Sequence, residues 1–198
     1  DSADRPYCAV TDISKLTRLI EDKLADYNET KPVMQLVMFE QAVEHVCRIA
    51  RVLDFPYGSM LLVGVGGSGK QSLAMLAAHI CGHEHHAILV TPNYSHSEFL
   101  TFLKGIYFKA AFQGTGVVLT LTDVQMQNNM FLVAVNDFLC RGDVVDMFTE
   151  QEKVEVYQRV QSSVKSSGRL DTRENCWEFF LEEVRSKVHL CLCFSPVG

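Results

Sequence analysis

Apolar residues along this chain follow two rhythms, one repeating every three or four positions and one made of short unbroken runs, and the two alternate. From Ile13 to about Tyr27, the residues Leu16, Ile20 and Leu24 share one face, which is the spacing of an amphipathic helix. Asn28 to Pro32 then breaks it. Leu36, Phe39, Val43, Val46, Ala50 and Leu53 repeat the helical rhythm while Glu40, Glu44, Arg48 and Arg51 take the other side. A helix from about Leu36 to Leu53, lying against a larger core, is expected. After the turn signal Pro56-Tyr57-Gly58-Ser59, the run Met60-Leu61-Leu62-Val63 reads as a strand buried on both faces.

The alternation continues to the end of the chain. A glycine-rich stretch leads into a helix from about Lys70 to Cys81, and Ala87-Ile88-Leu89-Val90 reads as a second buried strand. Ser95 with Glu98 forms a capping box for a helix reaching about Ala111, and Val117 to Leu121 is the third strand. Helical spacing resumes from Asn128 to Leu139 and stops at Arg141-Gly142-Asp143. Thr149 with Glu152 caps a helix ending near Gly168, Asp171 with Glu174 caps one ending near Lys187, and Val188 to Phe194 is the fourth strand. Strands separated by helices imply an α/β fold with a doubly wound parallel sheet and helices on both faces.

Chemistry concentrates where the first strand meets its helix. Gly64-Val65-Gly66-Gly67-Ser68-Gly69-Lys70-Gln71-Ser72 fits the spacing G-x-x-x-x-G-K. Glycines let the backbone wrap around phosphate oxygens, the following helix presents its positive end, and Lys70 places an ammonium near the β and γ phosphates. A bare glycine turn would need neither the lysine nor the flanking strand and helix. The position after the lysine, where Ser or Thr normally holds Mg²⁺, is Gln71. Ser72 is rotated by about 100° around the helix and makes a weak metal ligand.

The third strand ends in Thr122-Asp123-Val124. An acid at that place is the expected Walker B residue, holding Mg²⁺ through water, against the plainer reading of a turn-capping Asp. Val124 stands where a glutamate would orient the attacking water, and a valine accepts no proton. Loss of a positioned base costs about 10²–10⁴ in rate, so hydrolysis is expected to be slow or absent. Ser195, ending the fourth strand, is either a polar sensor of the γ phosphate or an ordinary loop cap.

Other groups read as structural. Cys81, His83, His85 and His86 match no standard zinc spacing, and the histidines are expected in a solvated loop. Cys191 and Cys193 share one face of a strand and read as core, as do Phe99, Phe102, Tyr107, Phe179 and Phe180.

Composition narrows the class of partner. The 198 residues suffice for one α/β domain with an N-terminal extension, and 47% hydrophobic with 21% charged residues is an ordinary globular balance. The net charge is −6 and the 18 Lys and Arg are scattered, so no nucleic acid partner is expected. Apolar runs fall short of the roughly 20 residues that cross a bilayer, and no membrane segment is expected. The N-terminus shows no secretory signal and no initiator Met, which suggests a fragment, and seven cysteines in apolar stretches fit a reducing cytosolic compartment.

Four strings, Pro32 to Glu40, Gly64 to Ser72, Asp171 to Trp177 and Leu192 to Gly198, resemble dynein heavy chains, specifically the fourth AAA+ module of axonemal forms. The resemblance covers nearly all of the chain after about residue 30. It implies an N-terminal helical linker at 1–31 and an AAA+ P-loop nucleotide-binding domain at 32–198, with the fifth strand, the helical lid and the arginine finger beyond Gly198. It also implies bound ATP or ADP, Mg²⁺ through Asp123, and Leu36 and Val37 near the adenine, although those two could equally be helix-packing residues. The partners it implies are neighbouring AAA+ modules, microtubules through a stalk, and dynein intermediate and light chains. The setting it implies is the cytoskeleton of a ciliary or flagellar axoneme, and the main hydrolysis site falls in another module. Departures at Gln71 and Val124 fit a regulatory module. A self-standing P-loop ATPase would need the missing hydroxyl and carboxylate, and a purely structural module would leave the pocket empty.

Overall fold

A computed structural model describes residues 9–88, 94–126 and 129–196. Among these residues four parallel strands, β1 (Met60–Val63), β2 (Glu84–Ala87), β3 (Val117–Thr122) and β4 (Val188–Phe194), form one sheet in the order β1-β4-β3-β2. The helices are α1 (Ile13–Thr30), α2 (Glu40–Asp54), α3 (Lys70–Ile80), α4 (His96–Gln113), α5 (Asp123–Met126), α6 (Asn129–Cys140), α7 (Glu150–Ser166) and α8 (Arg173–Lys187).

Strand alternation assigns each residue to a face. Val117, Leu119, Leu121, Val188 and Leu190 point into a core shared with α4, α6, α7 and α8, where Phe99, Tyr107, Phe131 and Phe180 are buried. Val118, Cys191 and Cys193 point the other way, into a core shared with α1, α2 and α3. The sheet is therefore covered on both faces, and the doubly wound α/β architecture expected from the alternation of strands and helices is what the chain adopts. The aromatics Phe99, Phe102, Tyr107, Phe179 and Phe180 belong to the first of these cores.

Capping fixes several boundaries. Ser95 and Glu98 bond reciprocally at the start of α4, and Thr149 and Glu152 do the same for α7, each supplying partners for orphan helix amides. At α8 the cap is one residue later than expected. Thr172 accepts from the Asn175 amide, while Asp171 is drawn off to Gln161 and Lys165 on α7.

Three further elements differ from the expectation. The helix expected from Leu36 begins at Glu40, because Asn28 clamps the preceding segment in extended form. Its side chain accepts from the Met34 amide at 2.7 Å and donates to the Met34 carbonyl at 3.2 Å, and that satisfies the backbone without a helix. The strand β1 lies at the sheet edge, so Leu61 and Val63 are exposed at 57% and 59%, and only its other face is packed. The second strand occupies Glu84–Ala87 rather than Ala87 to Val90, since an edge position tolerates polar side chains; Leu89 and Val90 lie outside the described residues.

The histidines therefore lie on and beside a strand instead of in a solvated loop. His83 is half-buried, contacts the Leu53 carbonyl at 3.2 Å and stacks on the buried His189 ring. His85 shares a hydrogen bond of 2.9 Å with Thr120 Oγ1. Burial, helped by the positive charges of His86 and Lys31, pushes the His85 pKa down to about 4. Below pH about 6.5 an unfolded histidine takes a proton that folded His85 refuses until about 4, so stability falls as pH drops through that window, by at most about 1.4 kcal/mol per pH unit. The protection factors of amides in β2 and β3 of the intact chain, taken relative to intrinsic exchange at each pH, should fall as pH is lowered between those values, and His85→Gln should flatten the fall. An unaltered pH profile would show that His85 is not the group responsible.

Candidate functional site

The C-terminal ends of β1, β3 and β4 carry every group singled out for nucleotide chemistry except Leu36 and Val37. Strand β1 runs into Gly64, and the loop ends at Gly69, which caps α3 in the left-handed conformation at φ 79°. Gly67 is also left-handed, at φ 77°. Both conformations strain any residue with a Cβ, which explains the glycines. No side chain caps α3, so its first amides face the loop.

Lys70 turns back over this loop. Its Nζ donates to the Gly64 carbonyl at 2.6 Å, to the Val65 carbonyl at 2.9 Å and to Ser68 Oγ at 3.2 Å. A methyl group placed on Gly66 or Gly67 would meet nothing within 4 Å, so no neighbouring side chain crowds the loop at these two positions. Open glycine backbone, uncapped helix amides and a cation beside them together fit an anionic phosphate chain.

Neighbouring strand ends bring the remaining groups alongside. The Gly64 amide donates to the Phe194 carbonyl at 3.1 Å, tying the loop to β4. The next residue, Ser195, donates its backbone amide to Asp123 Oδ2 at 2.9 Å. Ser195 thus meets Asp123 through its main chain, with its residue exposed at the surface. Asp123 is half-buried and opens the short helix α5.

Metal ligands are sparse. One Asp123 oxygen is engaged by Ser195, Gln71 is exposed, and Ser72 is half-buried one position further along α3. The residues accommodate a Mg²⁺ ion at Asp123 only weakly, with no hydroxyl in the usual place. Val124 is 63% exposed and offers no proton acceptor. Leu36 is half-buried, and its Cδ2 lies 3.8 Å from where a Cβ on Gly69 would sit, beside the loop. Val37 is 80% exposed.

Below the loop, the Cys191 and Cys193 sulfurs are 3.7 Å apart in the buried core. The hydrogen bond to Cys193, together with burial, raises the Cys191 pKa and keeps that thiol protonated. Six cysteines are free among the described residues, and Cys8 lies outside them. No group of three or more His, Cys, Asp or Glu that could hold a metal ion occurs among the described residues.

Gln125 was not anticipated as a site residue. Its Oε1 accepts from the Thr122 amide at 2.7 Å and from Thr122 Oγ1 at 2.6 Å, and its Nε2 donates to the Ile88 carbonyl at 2.8 Å. The only sequence signal is an amide two residues after a strand-end acid.

A glycine loop and lysine joining a strand to a helix, at the C-terminal edge of a parallel sheet, define a P-loop domain. Residues 34–198 match the family described as P-loop containing dynein motor region D4, and the chain belongs to that family. It is 48% identical over 192 residues to the dynein beta chain of the flagellar outer arm of Chlamydomonas reinhardtii, which covers 97% of this chain and 4% of that protein. It is 46% identical over 195 residues to human dynein axonemal heavy chain 17, and 43% identical over 195 residues to the ciliary dynein beta chain of Tripneustes gratilla, each covering 98% of this chain and 4% of the relative. The chain thus corresponds to a small part of the motor region of an axonemal dynein heavy chain. No helix among the described residues is long and apolar enough to cross a membrane.

Proposed function

We propose that this segment is a nucleotide-binding AAA+ module of an axonemal dynein heavy chain that binds ATP or ADP to regulate the motor and hydrolyses it slowly or not at all. The observation carrying the reading is the open glycine loop with Lys70 folded over it, set beside Asp123 and lacking any carboxylate at position 124. In this reading the loop amides from Gly64 to Gly69 and the start of α3 bind the phosphates, and Lys70 exchanges its loop oxygens for phosphate oxygens. Asp123 holds Mg²⁺ through water, weakly supported by Ser72, and Leu36 and Val37 border the base.

A bound nucleotide of this kind braces the contact with neighbouring modules instead of driving the stroke. The parent chain would act on microtubules through its stalk, with intermediate and light chains, in the axoneme of a cilium or flagellum. The segment division that goes with this reading is a helical linker at 1–31 and the nucleotide-binding domain at 32–198. Two rivals differ in a measurable way, since a self-standing ATPase turns nucleotide over and a structural module binds none. The test is photo-crosslinking of an azido-adenine nucleotide to the intact heavy chain, with the cross-link located by peptide mapping. Labelling should fall within this segment and vanish in Lys70→Ala; absence of any label here would sink the proposal.

A further inference from the structure

Hydrogen bonds run without a break across the C-terminal ends of all four strands. The Gly64 amide joins β1 to Phe194 of β4, and the Ser195 amide joins β4 to Asp123 at the end of β3. Among the described residues, the last backbone pair between β2 and β3 is Ala87 with Thr120. Beyond that point the side-chain amide of Gln125 takes over. It accepts from the Thr122 amide and donates to the Ile88 carbonyl, as a peptide group of a longer ladder would.

A glutamine beside a strand-end acid could instead orient a water molecule. Here both ends of the amide are turned inward, its oxygen holding two Thr122 donors and its nitrogen the Ile88 carbonyl, and the residue is only 8% exposed. It has no oxygen directed at a ligand on the loop side. What it does fix is the backbone of Thr122, the residue from which Asp123 emerges.

We infer that Gln125 is a positioning residue that holds Asp123 in the geometry needed for magnesium-supported nucleotide binding. This rests on the nucleotide-binding reading above. Replacing the amide with an apolar group frees the Thr122 amide and hydroxyl and the Ile88 carbonyl together, and the buried groups are then satisfied only if the strand end shifts. Asp123 shifts with it, whereas Lys70 is held by the Gly64 and Val65 carbonyls, and the loop by β1, α3 and the Phe194 carbonyl, none of which bonds to Gln125. Partners of this kind, one step removed from a ligand, typically change metal affinity by about ten- to a hundredfold.

The experiment is site-mapped photo-crosslinking of an azido-adenine nucleotide to the intact heavy chain, titrated with Mg²⁺ and in the presence of a chelator. Wild type should label in both conditions and more tightly with Mg²⁺. In Gln125→Leu the Mg²⁺ concentration that gives half of this gain should rise about ten- to a hundredfold, with chelator-resistant labelling unchanged. Lys70→Ala should lose both. Gln125→Glu supplies a signature that general loosening of the fold does not. Its carboxylate can take both Thr122 bonds but offers Ile88 no proton until it is protonated, so the half-gain Mg²⁺ concentration should recover in this variant as pH is lowered, and not in Gln125→Leu. Equal loss of both kinds of labelling in Gln125→Leu, or an unchanged half-gain Mg²⁺ concentration, overturns the inference and leaves nucleotide binding standing. Wild-type labelling that is indifferent to Mg²⁺ does the same. No wild-type labelling overturns both.

Discussion

Lys70→Ala should weaken nucleotide binding at this segment by roughly 10²–10⁴-fold. The estimate follows from the ammonium geometry. Lys70 Nζ already makes two bonds shorter than 3 Å, to the Gly64 and Val65 carbonyls, so the side chain is long enough and correctly directed to reach whatever occupies the loop. Hydrogen bonds to charged groups contribute about 1.5–3 kcal/mol each. Two of them transferred to phosphate oxygens amount to about 3–6 kcal/mol, and each 1.4 kcal/mol is tenfold in affinity. Alanine is the best helix former, so α3 should persist with unchanged amide protection, separating lost binding from lost fold. Equilibrium titration of site-mapped labelling is the measurement, and an unchanged affinity would remove the basis for the whole site.

The second large effect concerns turnover. Two groups are absent beside Lys70 and Asp123, a hydroxyl at position 71 and a carboxylate at position 124. Both positions are exposed, so Gln71→Thr and Val124→Glu place no charge or polar group in the core. Val124→Glu alone should recover little, because the metal that neutralises the transferring phosphate still lacks its hydroxyl ligand. The double variant should raise turnover by about 10²–10⁴ over wild type and by more than the product of the two single effects, since base and metal act on one transition state. The assay requires the complete motor with its principal hydrolysis site disabled. A wild-type module that already turns over at the rate of an ordinary AAA+ site contradicts the regulatory reading. A double variant that binds ATP yet stays inert would direct attention to Ser195, whose contact with Asp123 is made by the backbone amide and not by the hydroxyl.

Local signals were most legible where one interaction dominates. The period of the buried residues in α2 and the unbroken runs of β3 and β4 are set by burial alone, and Val188 to Phe194 is a strand at the bounds its composition suggests. The place of the glycine loop between β1 and α3 is legible because left-handed backbone at Gly67 and Gly69 favours glycine. Less was readable where distant partners decide. Asn28 looked like a helix breaker, yet α1 continues through it to Thr30 and its side chain straightens the segment around Met34. The histidines at 83 and 85 looked solvated because nothing local reveals that Thr120, Leu53 and His189 close over them. Asp171 looked like a cap, but Lys165 and Gln161 compete for its carboxylate. Gln125 is the same case at the site itself, because its role depends on Ile88, 37 residues away.

Everything proposed for this site depends on a nucleotide held by the loop from Gly64 to Lys70. Its most direct test is a density map of the intact motor incubated with ATP and Mg²⁺, at a resolution that separates phosphates. Phosphate density is expected on the amides of Gly67 to Lys70, with the Lys70 ammonium turned from the Gly64 and Val65 carbonyls toward it and the base beside Leu36. A loop that keeps Lys70 bonded to its own carbonyls, with no nucleotide beside it at saturating ATP, would contradict nucleotide binding at this site.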